Sequence, residues 1–291
     1  MGSSESVLSR PERAPHTGVR AAIERRAAAL ALPCVQWSAA TLGPQRMGRL
    51  AAPIGGFGPG PCSAARARIR AHLGLTREQA RAIASAMSEH LVRDLTAFIT
   101  GDAFADRSVE LSGALAERLA QPGPGLLFSA GHFGPWEAIA ARIGRARQPA
   151  AVVIGPASNA VLGRFIEDAR RKHGVRTILR NRPGTGRRIL RILRAGGVVG
   201  TLVDQFTRAP YVNGRFFGQP APIHVGWGRW ALRGWTWVHL EWGLDGVVRG
   251  VEVEGRRVQD RAQFVADRLE AQVRAAPERW VWFHDRWAAQ R

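Results

Sequence analysis

Gly125-Leu-Leu-Phe-Ser-Ala-Gly-His-Phe-Gly-Pro-Trp-Glu137 decides how this chain folds. Leu126 to Ala130 is a short apolar run of strand length. Gly131 and Gly134 let the backbone turn tightly and leave room beside it. Pro135 then stands where a helix opens. A strand, a Gly-rich corner and a helix start place His132 at the carboxyl end of a strand, the edge where open α/β sheets bind ligands. Downstream the pattern repeats. Strands are expected at 151–154, 176–179 and 198–203, with helices at about 159–173 and 185–194 between them. That alternation predicts an α/β fold with a mixed, mainly parallel central sheet flanked by helices. Asp245-Gly246 between two apolar runs predicts an antiparallel edge hairpin. Asp260-x-x-Gln263 is expected to open a last helix that Pro277 ends.

Upstream of Gly125 the text is helical. Residues 1–17 are polar and expected to be disordered, and residues 18–122 form an N-terminal helical region ahead of a 123–291 core. Residues 18–291 are expected to make one compact domain. Residues 18–52 read as one or two amphipathic helices with a Pro/Gly break, and Pro53 to Pro61 reads as a loop. Thr76-x-x-Gln79 resembles a capping box. Ile83, Met87, Leu91, Leu95 and Phe98 follow at helical spacing, a core-packing stripe. No secretory signal is visible, and no run of about 20 apolar residues could span a bilayer. The two cysteines, Cys34 and Cys62, have neither metal-type nor disulfide-framework spacing.

The 291 residues carry a net charge of +19, which implies an anionic partner: nucleic acid, an anionic membrane or a phosphorylated substrate. Arg187, Arg188, Arg191 and Arg194 share one side of a helix and, with Arg170, Arg171, Lys172 and Arg182, could form a basic field or simply a solvated face. The basic residues are spread along the chain and no recognition motif accompanies them, so no nucleic acid is expected and a basic nucleic-acid-binding protein is the more remote alternative. Eight of the ten tryptophans lie beyond residue 226 and read mostly as core, with a few free to line a groove or sit in a membrane interface.

Glu137 falls in the first turn of the helix after His132. A carboxylate there can fix an imidazole tautomer and stabilise the imidazolium. No Ser or Cys occupies a nucleophile-elbow context, so His132 reads as a general base acting on an acceptor's own hydroxyl. The competing reading has His132 cap a turn while Glu137 complements the helix dipole. A metal site is not expected, because no third ligand has suitable spacing. Asp204 should emerge at the same sheet edge, where it could position an acceptor or pair with Arg208 or Arg215. His224, His239 and His284 read as structural, and Tyr211 as part of a flexible cover over the site.

These residues resemble the late acyltransferases of lipid A biosynthesis (lauroyl and myristoyl transferases), which carry a His-x-x-x-x-Glu or Asp motif in similar text. Asn159 to Gly174, Gly196 to Gln205, Phe216 to Ala221 and Pro277 to Trp287 are similar to four further blocks of that family, in order, across roughly residues 65–287. The resemblance implies a glycerolipid acyltransferase-like fold. It also implies an acyl-carrier-protein or coenzyme A thioester as donor with no further cofactor, a glycolipid hydroxyl as acceptor, and peripheral work at the cytoplasmic face of the inner membrane. It makes His132 the base and Glu137 its partner. Gly131, Gly134, Trp136, Asn159, Arg164, Arg180, Asp204 and Gln205 become the substrate-binding set. Three departures stand out, the first being the absence of the family's usual N-terminal membrane-spanning helix. The family's Asn before Trp is Pro135, and its Arg-Pro pair reads Gly155-Pro156, leaving Arg164 or Arg180 to replace the arginine. Loss of that arginine and of the usual spanning helix keeps a soluble small-molecule or peptide acceptor open as the alternative.

Overall fold

Five parallel strands carry the site. In the computed structural model, which describes residues 19–101, 109–157, 160–205, 211–224 and 226–287, they are β2 (Leu126–Ala130), β3 (Ala150–Ile154), β4 (Val175–Leu179), β5 (Val198–Leu202) and β8 (Trp237–Trp242). With β9 (Val247–Glu252) and β1 (Glu110–Leu111) they form a seven-stranded sheet in the order β1-β9-β8-β2-β5-β3-β4. β9 runs antiparallel to β8, and the rest of the β2-centred block is parallel. The mixed, mainly parallel α/β class read from the sequence is therefore the observed one. The Asp245-Gly246 hairpin also forms, although β1 lies outside it and takes the edge.

Helices cover both faces because β2 and its neighbours are apolar on both. On one face α4 (Gly113–Ala120) and α5 (Trp136–Ala146) set Leu115, Ile139 and Ile143 against Phe128, Val198 and Val238. On the other face α7 (Thr185–Arg194) and α9 (Val258–Ala275) set Ile189, Leu193 and Val265 against Leu127, Val199 and Trp237. α6 (Ala160–Lys172) and α8 (Gly226–Ala231) flank the carboxyl edge. α2 (Pro61–Leu73) and α3 (Arg77–Thr100) share a further core with α9 and the tryptophan-rich tail, where Ile69, Met87 and Leu269 meet Trp280, Trp282 and Trp287. The Thr76/Gln79 capping box opens α3 as expected.

Four sequence expectations are corrected. α1 (Val19–Phe57) runs through Pro53 instead of ending before it, and only a short turn separates it from α2. Its break lies at Gly43, where φ is 73° and Pro44 restarts the helix. α9 begins at Val258, with Asp260 paired to Arg257 inside the first turn. Tyr211 is buried in β6 (Tyr211–Phe216), which pairs with β7 (Gln219–His224) as a separate two-stranded sheet, so it is no mobile cover. Arg215 is engaged by Gln263 and the Gly218 carbonyl, so it does not serve Asp204. Arg208 and residues 1–17 lie outside the described residues.

The opposite edge of the sheet is stapled by one side chain. Arg147 donates to the carbonyls of Gln121, Gly123 and Pro124, which lead into β2, and to that of Gly196, which leads into β5. The fork geometry of a guanidinium serves several carbonyls that an ammonium could not reach together.

The core also holds a polar cluster. Ser129 Oγ accepts from Trp237 Nε1 at 2.8 Å and lies 3.0 Å from His239 Nδ1. Burial holds the His239 imidazole neutral, down to about 4, and His90 and His224 are also lowered to about 4 with burial as the main cause. A histidine whose folded pKa lies below its unfolded 6.5 gives stability that is whole above 6.5 and is lost as pH falls toward 4. Melting temperature is therefore expected to drop steadily between pH 6.5 and 4. His239→Asn, which can still bond Ser129, should shallow that slope by up to about one proton, roughly 1.4 kcal/mol per pH unit. An unchanged slope in calorimetry would remove His239 from the account.

Candidate functional site

β2 and β5 are neighbours, and their register pairs Ala130 with Leu202. Two residues further along each strand stand His132 and Asp204, so parallel pairing alone brings them face to face. Asp204 is 2 % exposed. Its Oδ1 lies 2.7 Å from His132 Nδ1, and its Oδ2 accepts from the His132 backbone N–H at 2.6 Å and from Trp280 Nε1 at 2.7 Å. Burial pushes the Asp204 carboxyl upward. The His132 charge, with hydrogen bonds from His132 and Trp280, outweighs that and holds it well below the usual carboxylate range.

The corner itself needs its glycines. A Cβ at Gly131 would collide with Leu269 Cδ1 and crowd Asp204 Oδ2 at 3.2 Å. Gly134 has φ 62°, and a Cβ there would strike the Trp242 ring. The tail closes the corner from outside. Val281 N–H donates to the His132 carbonyl, Gly134 N–H donates to the Arg279 carbonyl, and Phe133 bridges Trp280.

On the other side of the imidazole, Gln205 Nε2 lies 2.9 Å from His132 Nε2. The network is self-consistent with Nδ1–H donating to Asp204 and the Nε2 lone pair accepting from the Gln205 amide. Trp136 stands edge-on to the His132 ring at 5.1 Å, and the His284 ring lies at 6.0 Å. Burial, and next the nearby His132, lower His284 below the ordinary histidine value.

Glu137 does not orient His132. Both of its carboxylate oxygens are taken by Arg170, with Nε–Oε2 at 2.8 Å. From the first turn of α5 the side chain faces α6, and a bidentate guanidinium on that helix captures it. The carboxylate that fixes the imidazole comes from 72 residues downstream.

His132, Trp136, Glu137, Arg170, Arg180 and Gln205 line a cavity of about 740 Å³ at the carboxyl edge. Trp227 and Trp230 of α8, with His224 and His284, form part of its wall, so two histidines read as structural and two tryptophans read mostly as core from sequence sit at the site. A smaller, largely apolar pocket of about 80 Å³ runs beneath α5, floored by Phe128, Val152, Val198 and Gly200. Trp136, Glu137, Ile154, Arg170 and Leu202 line both spaces, so the pocket adjoins the cavity. Among the described residues, no group of three His, Cys, Asp or Glu side chains gathers as a metal site would require.

The remaining sequence candidates divide. Arg180 lines the cavity, and its Nη2 lies 2.8 Å from where a Gly155 Cβ would be, so the bare glycine makes room for the guanidinium. Arg164 is exposed on α6 and does not line the cavity. Asn159 lies outside the described residues. Arg170 and Trp280 were absent from the expected site, although both sit inside blocks that carried the family resemblance.

A family profile described as bacterial lipid A biosynthesis acyltransferase matches residues 41–234, a span that contains His132, Glu137, Arg170 and Asp204. No curated protein gives a significant match.

The Glu137–Arg170 pair is buried, at 8 % and 12 % side-chain exposure. Removing one partner of a buried pair strands the other charge at a cost of about 3–5 kcal/mol, whereas replacing both by apolar groups is often neutral. Arg170→Met should therefore lower unfolding free energy by about 3 kcal/mol. The double variant Glu137→Met/Arg170→Met should recover most of it. Equal losses in single and double variants, measured by urea denaturation, would contradict the pairing.

Proposed function

The chain belongs to the bacterial lipid A biosynthesis acyltransferase family and is an acyltransferase, and from that premise we propose that it moves a fatty acyl chain from a thioester to a lipid hydroxyl with His132 as base and Asp204 as the carboxylate that orients it. The donor in this reading is an acyl-carrier-protein or coenzyme A thioester, and the acceptor is a lipid A-like or related glycolipid. The single observation that supports it most is the Asp204–His132–Gln205 relay at the mouth of the cavity. A soluble acceptor remains the second reading, favoured by the absence of an arginine at Gly155, although Arg180 reaches the same space from β4.

The acceptor hydroxyl displaces the Gln205 amide and donates its proton to His132 Nε2. Its oxygen attacks the thioester carbonyl carbon, and the tetrahedral adduct collapses by breaking the C–S bond. The imidazolium returns its proton to the departing thiolate. Asp204 stabilises that imidazolium and keeps Nδ1 protonated beforehand, so Nε2 always faces the hydroxyl. No covalent acyl-enzyme is required. The acyl chain lies in the apolar pocket beneath α5, and the acceptor headgroup occupies the wider cavity beside Arg180. Work at the cytoplasmic face of the membrane, on an anionic surface, belongs to the same proposal. Among the described residues, no helix is long and apolar enough to cross a bilayer.

His132→Ala should lower transfer by about 100-fold or more, the scale of general-base removal. Asp204→Asn should do the same with little change in melting temperature. Its remaining oxygen can still accept from the His132 N–H and Trp280, while its amide faces Nδ1 and imposes the wrong tautomer. Glu137→Gln should instead lower melting temperature and activity together, since it loosens Arg170. Initial-rate assays of purified variants with a long-chain thioester decide the matter. Near-wild-type turnover in Asp204→Asn would overturn the relay.

Gly200 faces the apolar pocket, where an added Cβ would lie in ordinary contact at 3.8 Å from Val152 Cγ1. Gly200→Val is therefore tolerated by the strand and fills the pocket. It should shift the preferred donor to a shorter chain and leave kcat with short thioesters near wild type. An unchanged chain-length profile would place the acyl group elsewhere.

A further inference from the structure

Helix α1 is turned inside out in its second half. At 100° per residue, Gly48, Ala51 and Gly55 lie on one side and Leu50, Ile54 and Phe57 on the other. The small side faces the protein. A Cβ at Gly48 would stand 2.7 Å from the Glu89 carbonyl oxygen, and one at Gly55 would collide with the Ala84 carbonyl and the Ser88 hydroxyl, so α1 and α3 meet nearly backbone to backbone. The large side faces out: Leu50 and Ile54 are each 61 % exposed, and Phe57 is 69 % exposed.

A helix on a water-facing surface does the reverse, turning its large apolar side chains inward. Packing through small residues with large apolar groups outward is the arrangement of helices whose outer medium is itself apolar. The charges around this face identify the medium. Between Glu24 and Glu78 the sequence contains no Asp or Glu. Arg46 and Arg49 on the same helix and Arg81 on α3 are exposed. Arg46 stands one turn before Leu50 on the same side, and Arg81 lies over the Phe57 ring at 4.7 Å. Apolar side chains bordered by arginine match acyl tails beneath anionic headgroups. A second copy of the chain would bring like-charged rims together.

We propose that the outer face of the second half of α1, formed by Leu50, Ile54 and Phe57, is a monotopic docking surface for an anionic lipid bilayer. The proposal rests on the reading above only for the membrane as partner, since it does not depend on the transfer chemistry. α1 also touches α6, which borders the cavity through Gly163 and Ile166.

Sedimentation of the full chain with phosphatidylcholine vesicles, with and without about one third phosphatidylglycerol, tests the surface. Wild type should bind the anionic vesicles. The Leu50→Ser/Ile54→Ser/Phe57→Ser variant should lose at least 10-fold in partitioning while keeping its turnover of a detergent-dispersed donor. Because screening reaches only about 8–10 Å at physiological salt and shortens further above it, 1 M salt should weaken wild-type binding without abolishing the apolar share. If the triple variant unfolds, single Ile54→Ser and Phe57→Ser variants carry the test. Wild-type partitioning in the substituted chains, no recruitment of wild type, or a solution dimer that the substitutions dissociate would each overturn the proposal. An active chain that ignores vesicles sinks the docking surface alone, and an inactive chain that still docks sinks the chemistry alone.

Discussion

The parallel pairing of β2 with β5 is the constraint on which the site depends. A register of Ala130 with Leu202 carries both strands off the sheet edge together, so His132 and Asp204 meet where Gly131 leaves them room. A fully buried carboxylate is costly unless it is satisfied. Asp204 is satisfied three times over, by the His132 ring, the His132 backbone and the Trp280 indole. Those partners come from two distant parts of the chain, His132 in the corner after β2 and Trp280 in the tail. The same interactions that make the charge tolerable also fix the imidazole, so the stability of the corner and its reactivity have one origin.

Around that contact the molecule separates its tasks. The tail from Pro277 onward closes the corner and binds the N-terminal helices, with Arg68 donating to the Trp282 and Phe283 carbonyls. Glu137 and Arg170 form a buried ion pair in the wall shared by the cavity and the apolar pocket. A charged pair there marks the boundary between the apolar pocket and the wider cavity that His132 and Gln205 also line. The arrangement accounts for a carboxylate five residues after the histidine without giving it the proton-relay role.

The strands and helices of the core were legible because each apolar run was bounded by Gly, Pro or a capping pattern, as at Gly125 to Glu137 and Thr76 to Gln79. The β6–β7 hairpin was not, because Gln219-Pro-Ala-Pro222 lacks strand alternation and its prolines are tolerated only in so small a sheet. α1 continued past Pro53 because close packing on α3 outweighs one missing N–H. The candidate site was half legible. His132, Gly131, Gly134, Asp204 and Gln205 converge as their positions at strand ends suggested. The partner of His132 was misread because nearness in sequence stood in for nearness in space. Nothing in the linear text orders β5 beside β2, and nothing announces that Arg170 would claim Glu137 first. Arg180 beside Gly155 is a compensation of the same kind, visible only when two strand ends are seen together.

The most direct measurement is the 15N and 1H NMR signature of the His132 ring in the wild-type chain and in its carboxylate variants. The account predicts a protonated Nδ1 with a strongly downfield proton that persists in Glu137→Gln and vanishes in Asp204→Asn. The opposite dependence, loss of the signal with Glu137 and retention without Asp204, would contradict it.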